Sequence, residues 1–228
     1  MARRLSQAAL KDLEANGFVF LEEHSPGASD EELAASLGEL DDVSQQCPPL
    51  ETFHALRPKA KADAKPNTYS AEYGLDAFPP HSDLAHWAIP PRYAVLRCVR
   101  GKKGVVTTVI SKSTMERHVG RGNLSRALFV PRRPTGDKQT LLRALQTVEG
   151  EELLRLDSLF LRPVNDAAAT VVERAWSAFL PGGESVVLAK KGDLLIIDNW
   201  RTVHGRSLVA VRDKGRHLVR FYLKRLRT

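Results

Sequence analysis

The sequence predicts a mainly β fold with flanking helices, closed as a barrel or jelly roll. The six residues Val105-Val106-Thr107-Thr108-Val109-Ile110 are β-branched at every position, a pattern that suits a pleated strand. Four more short strand candidates crowd the C-terminal half, at 184–189, 193–197, 202–208 and 217–223, with Gly and Pro turns among them. A length of 228 residues fits one such barrel with added helices.

Taken in order, residues 5–16 carry Leu5, Ala8, Ala9, Leu10 and Leu13 at helical spacing, with Ser6 as N-cap and Gly17 as the stop. Gly17-Phe-Val-Phe-Leu reads as a strand. Ser29 or Asp30 caps a second helix reaching Leu40, with Leu33, Ala34, Leu37 and Leu40 on one face. Residues 41–69 hold Pro48, Pro49, Pro58 and Pro66 and a lysine-rich stretch, so a loop-rich passage along a sheet edge is expected. Pro79 and Pro80 impose an extended approach to His81. A buried strand at 92–100 and a turn at 101–104 precede the β-branched run. Helices are expected from Ser113 to Val119, at 137–145 and at 167–180, the last ending at Pro181-Gly182-Gly183. Neither an internal repeat nor a linker divides the chain, so one domain over 1–228 is expected.

Lys and Arg total 34 against 27 Asp and Glu, a formal charge of +7. The basic residues are scattered apart from a short cluster at 224–227. Without a zinc finger, an aromatic-rich sheet or a long basic run, the pattern argues against nucleic-acid binding. The two cysteines, Cys47 and Cys98, form no C-x-x-C pair, which excludes zinc-ribbon and thioredoxin-like sites and fits a reducing compartment. Cys98 sits in the apolar run 94–99 and is expected to be a core thiol. The N-terminus has no apolar signal core, and no run approaches the ~20 apolar residues that cross a bilayer. The expectation is a cytoplasmic protein with no membrane span.

The candidate chemistry lies in two stretches. His81-Ser82-Asp83 is the first; in an extended segment, side chains two apart share a side, so His81 and Asp83 point together and Ser82 away. The second is Asp198-Asn-Trp-Arg-Thr-Val-His-Gly-Arg206, which sets His204 just after a polar turn. Two imidazoles and one carboxylate on one face of an octahedron leave three positions open, the donor set of non-haem iron(II) oxygenases. An isolated H-x-D arises often by chance, as a capping or surface pair. The ordered combination with Gly104-x-x-Thr107, His204, Arg216 and Arg220 gives it weight. A solvated strand face is the alternative for the two arginines, but apolar Leu218 between them favours an inward face. Asp198 and Asn199 are expected to shape the turn, and His86 to pack near the site. His24, His54 and His118 are read as surface residues. Arg162 and Arg206 are assigned no role.

These motifs, with Phe78-Pro-Pro-His-Ser-Asp83 and Pro90-Pro91-Arg92-Tyr93, resemble the taurine dioxygenase and clavaminate synthase-like family from about Gly17 to the C-terminus. The resemblance implies a double-stranded β-helix, a cupin-like jelly roll with the metal inside one mouth. It implies His81, Asp83 and His204 as ligands of Fe(II). Thr107 and Arg216 match the family's pair that binds the far carboxylate of 2-oxoglutarate, a task suited to a planar guanidinium fork. Here Val105 replaces the second glycine of the family's Gly-Gly-x-Thr pattern, and Thr108 is an alternative to Thr107. Arg220 matches a second arginine, facing either cosubstrate or substrate. The implied cofactors are Fe(II), 2-oxoglutarate and O2. The implied reaction is hydroxylation of an unactivated C–H bond with release of succinate and CO2, since a carboxylate at Asp83 leaves no room for the chloride that halogenating relatives bind. Desaturation, epoxidation or cyclisation use the same ligands, and a non-catalytic module that binds 2-oxoglutarate and metal is the alternative of another class. Arginines near the site favour a small acidic or zwitterionic substrate: an amino acid, a natural-product precursor or a carrier-bound form. Residues 41–69 and 120–139 are the candidates to cover the mouth.

Overall fold

Strands account for the middle of the molecule and helices lie against its two outer faces. The computed structural model describes residues 2–46, 50–133 and 140–227. Helix α1 (Gln7–Asn16), strand β1 (Phe18–Leu21) and helix α2 (Asp30–Leu37) come first, then β2 (Gly38–Leu40), α3 (Val43–Gln46), β3 (His54–Leu56) and α4 (Tyr69–Tyr73). Next are β4 (Phe78–His81), β5 (Tyr93–Arg100), β6 (Thr107–Ser111), α5 (Lys112–Met115) and α6 (Arg121–Arg126). Short strands β7 (Leu128–Pro131), β8 (Leu142–Arg143), β9 (Leu145–Val148), β10 (Glu151–Leu154) and β11 (Leu161–Pro163) follow. The chain ends with α7 (Asp166–Gly182), β12 (Glu184–Val186), β13 (Leu194–Asp198), β14 (Thr202–Arg206) and β15 (His217–Leu226).

Two antiparallel sheets form the jelly roll. The larger has the order β1-β13-β5-β15-β2, with β3 also paired to β15; the smaller has the order β12-β6-β14-β4. Between them pack Ala94, Leu96 and Cys98 of β5, Leu195 and Ile197 of β13, Leu218 and Tyr222 of β15, Val109 of β6 and Val186 of β12. The alternate residues face outward but stay dry. Val95, Leu194, Ile196 and Phe221 pack under α1 and α2, while Ile110 and Val203 pack with Val171 and Ala175 of α7. With both faces covered, these strands read as apolar runs rather than alternating ones.

The helix ends follow their sequence signals. Ser6 accepts from the Ala9 N–H at the start of α1, and Gly17 closes that helix at φ 80°, a left-handed value that glycine adopts without a Cβ penalty. Ser29 and Glu32 form a reciprocal capping box at α2.

Several expectations are corrected. The second helix stops at Leu37, and Leu40 sits on β2 paired to β15. The helix expected from Ser113 is capped two residues earlier, at Ser111, whose hydroxyl accepts from the Thr114 N–H. It runs on through a π-helical turn at Glu116–Gly120 into α6. Of the helix expected over 137–145, residues 137–139 lie outside the described residues, and the described part is not helical: Leu142–Arg143 and Leu145–Val148 are strands. Leu142 packs beside Phe129, and tertiary pairing overrides the weak local helix signal there. The loop-rich 41–69 passage does hold β3 on the β15 edge. Cys98 is a core thiol, as expected, with 1% of its surface exposed, whereas Cys47 lies outside the described residues. Among the described residues no helix is long and apolar enough to cross a membrane.

Candidate metal centre

His81 and His204 sit directly opposite each other in the β4–β14 register, which brings their rings to a centroid separation of 4.6 Å. Asp83 lies two residues beyond the end of β4. Its Oδ1 stands 3.8 Å from His81 Nε2 and 3.9 Å from His204 Nε2. One donor atom from each of the three falls within 4.8 Å of the others, and all three side chains are buried. Ser82 points away, its hydroxyl donating to the Leu154 carbonyl at 3.2 Å.

The electrostatics suit a cation. Burial, then the neighbouring His204, pushes the His81 pKa down to about 4, and burial lowers that of His204, so both imidazoles are neutral at pH 7. His81 Nδ1 faces the Pro79 carbonyl at 2.9 Å; a hydrogen there leaves the Nε2 lone pair free toward Asp83. Burial works to raise the Asp83 carboxyl pKa, but Arg220, donating through Nη1 to Oδ1 at 2.8 Å, together with weaker pulls from His204, His81 and the Tyr222 hydroxyl, outweighs it and the carboxyl is held below its usual range. Asp83 Oδ2 is buried with no hydrogen-bond partner, as is His204 Nδ1. An orphaned carboxylate oxygen is costly in a dry site. A divalent ion would satisfy it, and the two-imidazole, one-carboxylate donor set without thiolate fits Fe(II). The residues present therefore fit the metal.

A chelator-treated sample tests the imidazole environment. In the unfolded chain His81 takes a proton near pH 6.5; in the fold it stays neutral down to about 4. The unfolded state then binds more protons across that window, so the stability His81 contributes is present above 6.5 and is lost as pH falls toward 4, by about 3 kcal/mol. Thermal melts of wild type and His81→Asn between pH 7 and 4 check this: the wild-type curve should fall more steeply.

Arg216 reaches the same interior from the loop before β15. It is 6% exposed, and its Nη2 lies 3.5 Å from Thr107 Oγ1, at the outer limit of a hydrogen bond. Its Nε has no partner. Burial lowers the Arg216 pKa to about 10, which leaves it charged at neutral pH. Thr107 is buried, whereas Thr108 is partly exposed and pairs with Gly205, so Thr107 is the threonine turned to the arginine. Gly104 has its own reason: a Cβ there would run into the Asp213 carboxylate, in the turn that leads to Arg216. Arg220 lies on β15 of the larger sheet and crosses to Asp83, whose segment belongs to the smaller one.

The remaining candidates divide. Arg206 braces the chain before β4, donating to the Gly74 and Asp76 carbonyls and lying 3.6 Å from the centre of the Phe78 ring. His86 packs on Phe160, and Arg162 is exposed. His24 is corrected: it is buried, its Nε2 meeting the Arg3 carbonyl at 2.9 Å. His54 is corrected as well; it is half-buried on β3, opposite Arg220. His118 is exposed.

Sequence reasoning missed three supports. The Tyr69 ring stacks on His81 at 4.3 Å, and its hydroxyl donates to Asp157 Oδ1 at 3.0 Å. Asp157 also accepts from the Leu159 and Phe160 N–H groups at 2.8 Å each. Arg155 is fully buried and donates to the carbonyls of Ala85, Trp87 and Ala88, the segment just past Asp83. Its place inside Leu153-Leu154-Arg155-Leu156 was a legible sign of a buried arginine. Tyr69 and Asp157 had no local signal.

The chain shares the double-stranded β-helix of the Fe/2-oxoglutarate-dependent oxygenases, the fold its motifs implied. Asparagine oxygenase AsnO aligns at TM-score 0.67 and 18% identity over 95% of this chain and 76% of its own. A complex of asparagine oxygenase with Fe(II), 3-hydroxyasparagine and succinate aligns at 0.60 and 20%, over 76% of this chain and only 57% of that one. PvcB, an Fe, α-ketoglutarate-dependent oxygenase from an isonitrile synthetic pathway, gives 0.68 and 18% over 97% and 82%. The non-haem iron oxygenase OrfP with Fe and α-ketoglutaric acid gives 0.63 and 21% over 95% and 78%. No protein-family model and no curated protein sequence matches the chain.

Proposed function

We propose that this protein is an Fe(II)- and 2-oxoglutarate-dependent oxygenase of the taurine dioxygenase and clavaminate synthase-like family. Its reaction is hydroxylation of an unactivated C–H bond in a small acidic or zwitterionic compound, with an amino acid as the first class to test. The observation that carries the reading is the buried His81, Asp83 and His204 cluster, with an orphaned Asp83 oxygen and a buried, chargeable Arg216 beside Thr107. The amino-acid class is supported by neighbours whose solved complexes hold hydroxyasparagine or hydroxyarginine with succinate.

His81, Asp83 and His204 would hold the iron, and Arg216 with Thr107 would take the far carboxylate of 2-oxoglutarate. When bound, iron and 2-oxoglutarate supply O2 activation coupled to oxidative decarboxylation. The buried jelly-roll interior excludes water and aims one C–H bond. Arg220 keeps Asp83 ionised and leaves its second oxygen for the metal. A carrier-bound amino acid remains within the proposal, since the +7 charge suits an acidic carrier.

The test is iron- and O2-dependent conversion of 2-oxoglutarate to succinate, with the free amino acids as the substrate panel. Tight 2-oxoglutarate binding with no turnover on any substrate would overturn the enzyme reading in favour of a binding module. Arg216→Met is expected to raise the KM for 2-oxoglutarate by roughly 10²–10⁴-fold, the loss of two charge-assisted hydrogen bonds at ~1.5–3 kcal/mol each. Titration of 2-oxoglutarate against the two proteins checks it; a change under threefold would remove Arg216 from the cosubstrate site.

A further inference from the structure

Asp83 stands outside the β-ladder. Strand β4 ends at His81, and Leu84, directly after Asp83, takes a left-handed φ of 54°. The backbone of Ser82 is tied elsewhere, its N–H donating to the Leu156 carbonyl at 2.7 Å. The N–H and carbonyl of Asp83 therefore lack strand partners, and one side chain takes both. The Asp83 N–H donates to Asn199 Oδ1 at 2.7 Å, and Asn199 Nδ2 donates back to the Asp83 carbonyl at 3.0 Å. Nδ2 also donates to the Pro91 carbonyl at 3.0 Å, and the Asn199 N–H to the Arg92 carbonyl at 2.7 Å. Asn199 is fully buried, so water cannot substitute for any of these bonds.

Asn199 also opens the turn between β13 and β14, which the Thr202 hydroxyl closes by donating to the Asp198 carbonyl at 2.9 Å. Two residues past Thr202 stands His204. One amide thus joins the segment that carries the carboxylate to the turn that carries the second imidazole. Building on the metal reading above, we infer that Asn199 is a positioning residue: it fixes the Asp83 carboxylate relative to His204 and so sets metal affinity without touching the ion. Only an amide serves. An aspartate at 199 would set a carboxylate oxygen against the Asp83 and Pro91 carbonyls, and a shorter residue would leave Asp83 untethered.

The experiment needs no turnover. Co(II) binding is measured anaerobically by competition with a chelator and by the visible spectrum, for wild type, Asn199→Ala, Asp83→Ala and the double variant. Asn199→Ala is expected to weaken Co(II) by roughly 10–100-fold, as when groups that orient metal ligands are removed, and to change the spectrum. In the Asp83→Ala background the same substitution should cost less than about threefold, because its effect runs through that carboxylate. A purely architectural role would lower affinity equally in both backgrounds. That result, or wild-type affinity and spectrum in Asn199→Ala, overturns the inference. Wild-type protein that binds no Co(II) overturns the metal reading itself, a separate outcome. Should Asn199→Ala fail to fold, Asn199→Ser replaces it. Amide hydrogen exchange on the wild type adds a variant-free check: the Asp83 N–H should exchange as slowly as those of β14, and loop-like exchange there would also overturn the inference.

Discussion

Replacing Asp83 with alanine is expected to reduce iron-dependent turnover of 2-oxoglutarate by at least on the order of 10³-fold. Two losses act in the same direction. Asp83 is the anionic member of the cluster, so its removal leaves two neutral imidazoles to hold a dication. It also strands Arg220, whose Nη1 lies 2.8 Å from Oδ1, as an uncompensated cation beside the proposed metal position. Breaking such a pair from one side destabilises the fold by ~3–5 kcal/mol when the pair is buried, and by less here, because Arg220 is about one-fifth exposed. His204→Ala separates the two effects, since it removes a proposed ligand and keeps the ion pair. It should lose turnover to a similar degree with a smaller change in the melting temperature of the chelator-treated protein. Succinate formation, metal content and a thermal melt on both variants decide the matter. Full turnover in either one sinks the metal assignment.

The largest expected effect on stability lies at Arg155. Its guanidinium is fully buried and serves Ala85 O at 2.7 Å, Trp87 O at 2.5 Å, Ala88 O at 2.9 Å and Gln146 Oε1 at 3.1 Å. Burial without a carboxylate partner lowers its pKa to about 10, a sign that dipoles alone hold the charge. Arg155→Met would remove a desolvated charge, which by itself is favourable. Against that stand three backbone carbonyls left without a donor, at ~1–3 kcal/mol each. Typical domains have only ~5–15 kcal/mol in total. The carbonyls win, and Arg155→Met should unfold the protein or lower its melting temperature by more than about 10 °C. Arg155→Lys keeps the charge but not the fork, and should fall between. A circular-dichroism melt of Arg155→Met within about 3 °C of wild type would show that the 85–88 segment holds itself.

Asn199 and Arg155 together explain why the H-x-D motif was legible and its geometry was not. Spacing in the sequence puts His81 and Asp83 on one extended segment. The structure ends the strand at His81 and turns the chain at Leu84. Asp83 still reaches the cluster, because Asn199 holds its backbone and Arg155 holds the segment that follows it. A similar limit applies to the helix expected over 137–145. Its described part pairs as strands in two small sheets, and the partners, at 128–129 and 151–154, are separate in sequence. The burial of His24 is hidden from its neighbours in sequence for a related reason: the chain it meets, at Arg3, lies 21 residues away.

The sequence by itself determined the strand-rich class, the caps of α1 and α2, the β-branched run that becomes β6, and the order of residues able to bind a metal and an acid. Those features are local: side-chain branching, cap chemistry and spacing act within a few residues. Tertiary structure alone decided that His81 faces His204 in register, that Thr107 rather than Thr108 turns to Arg216, and that Arg220 crosses from one sheet to a carboxylate beside the other. Register and sheet packing are contacts between distant segments, and no short window of residues contains the energy that selects them.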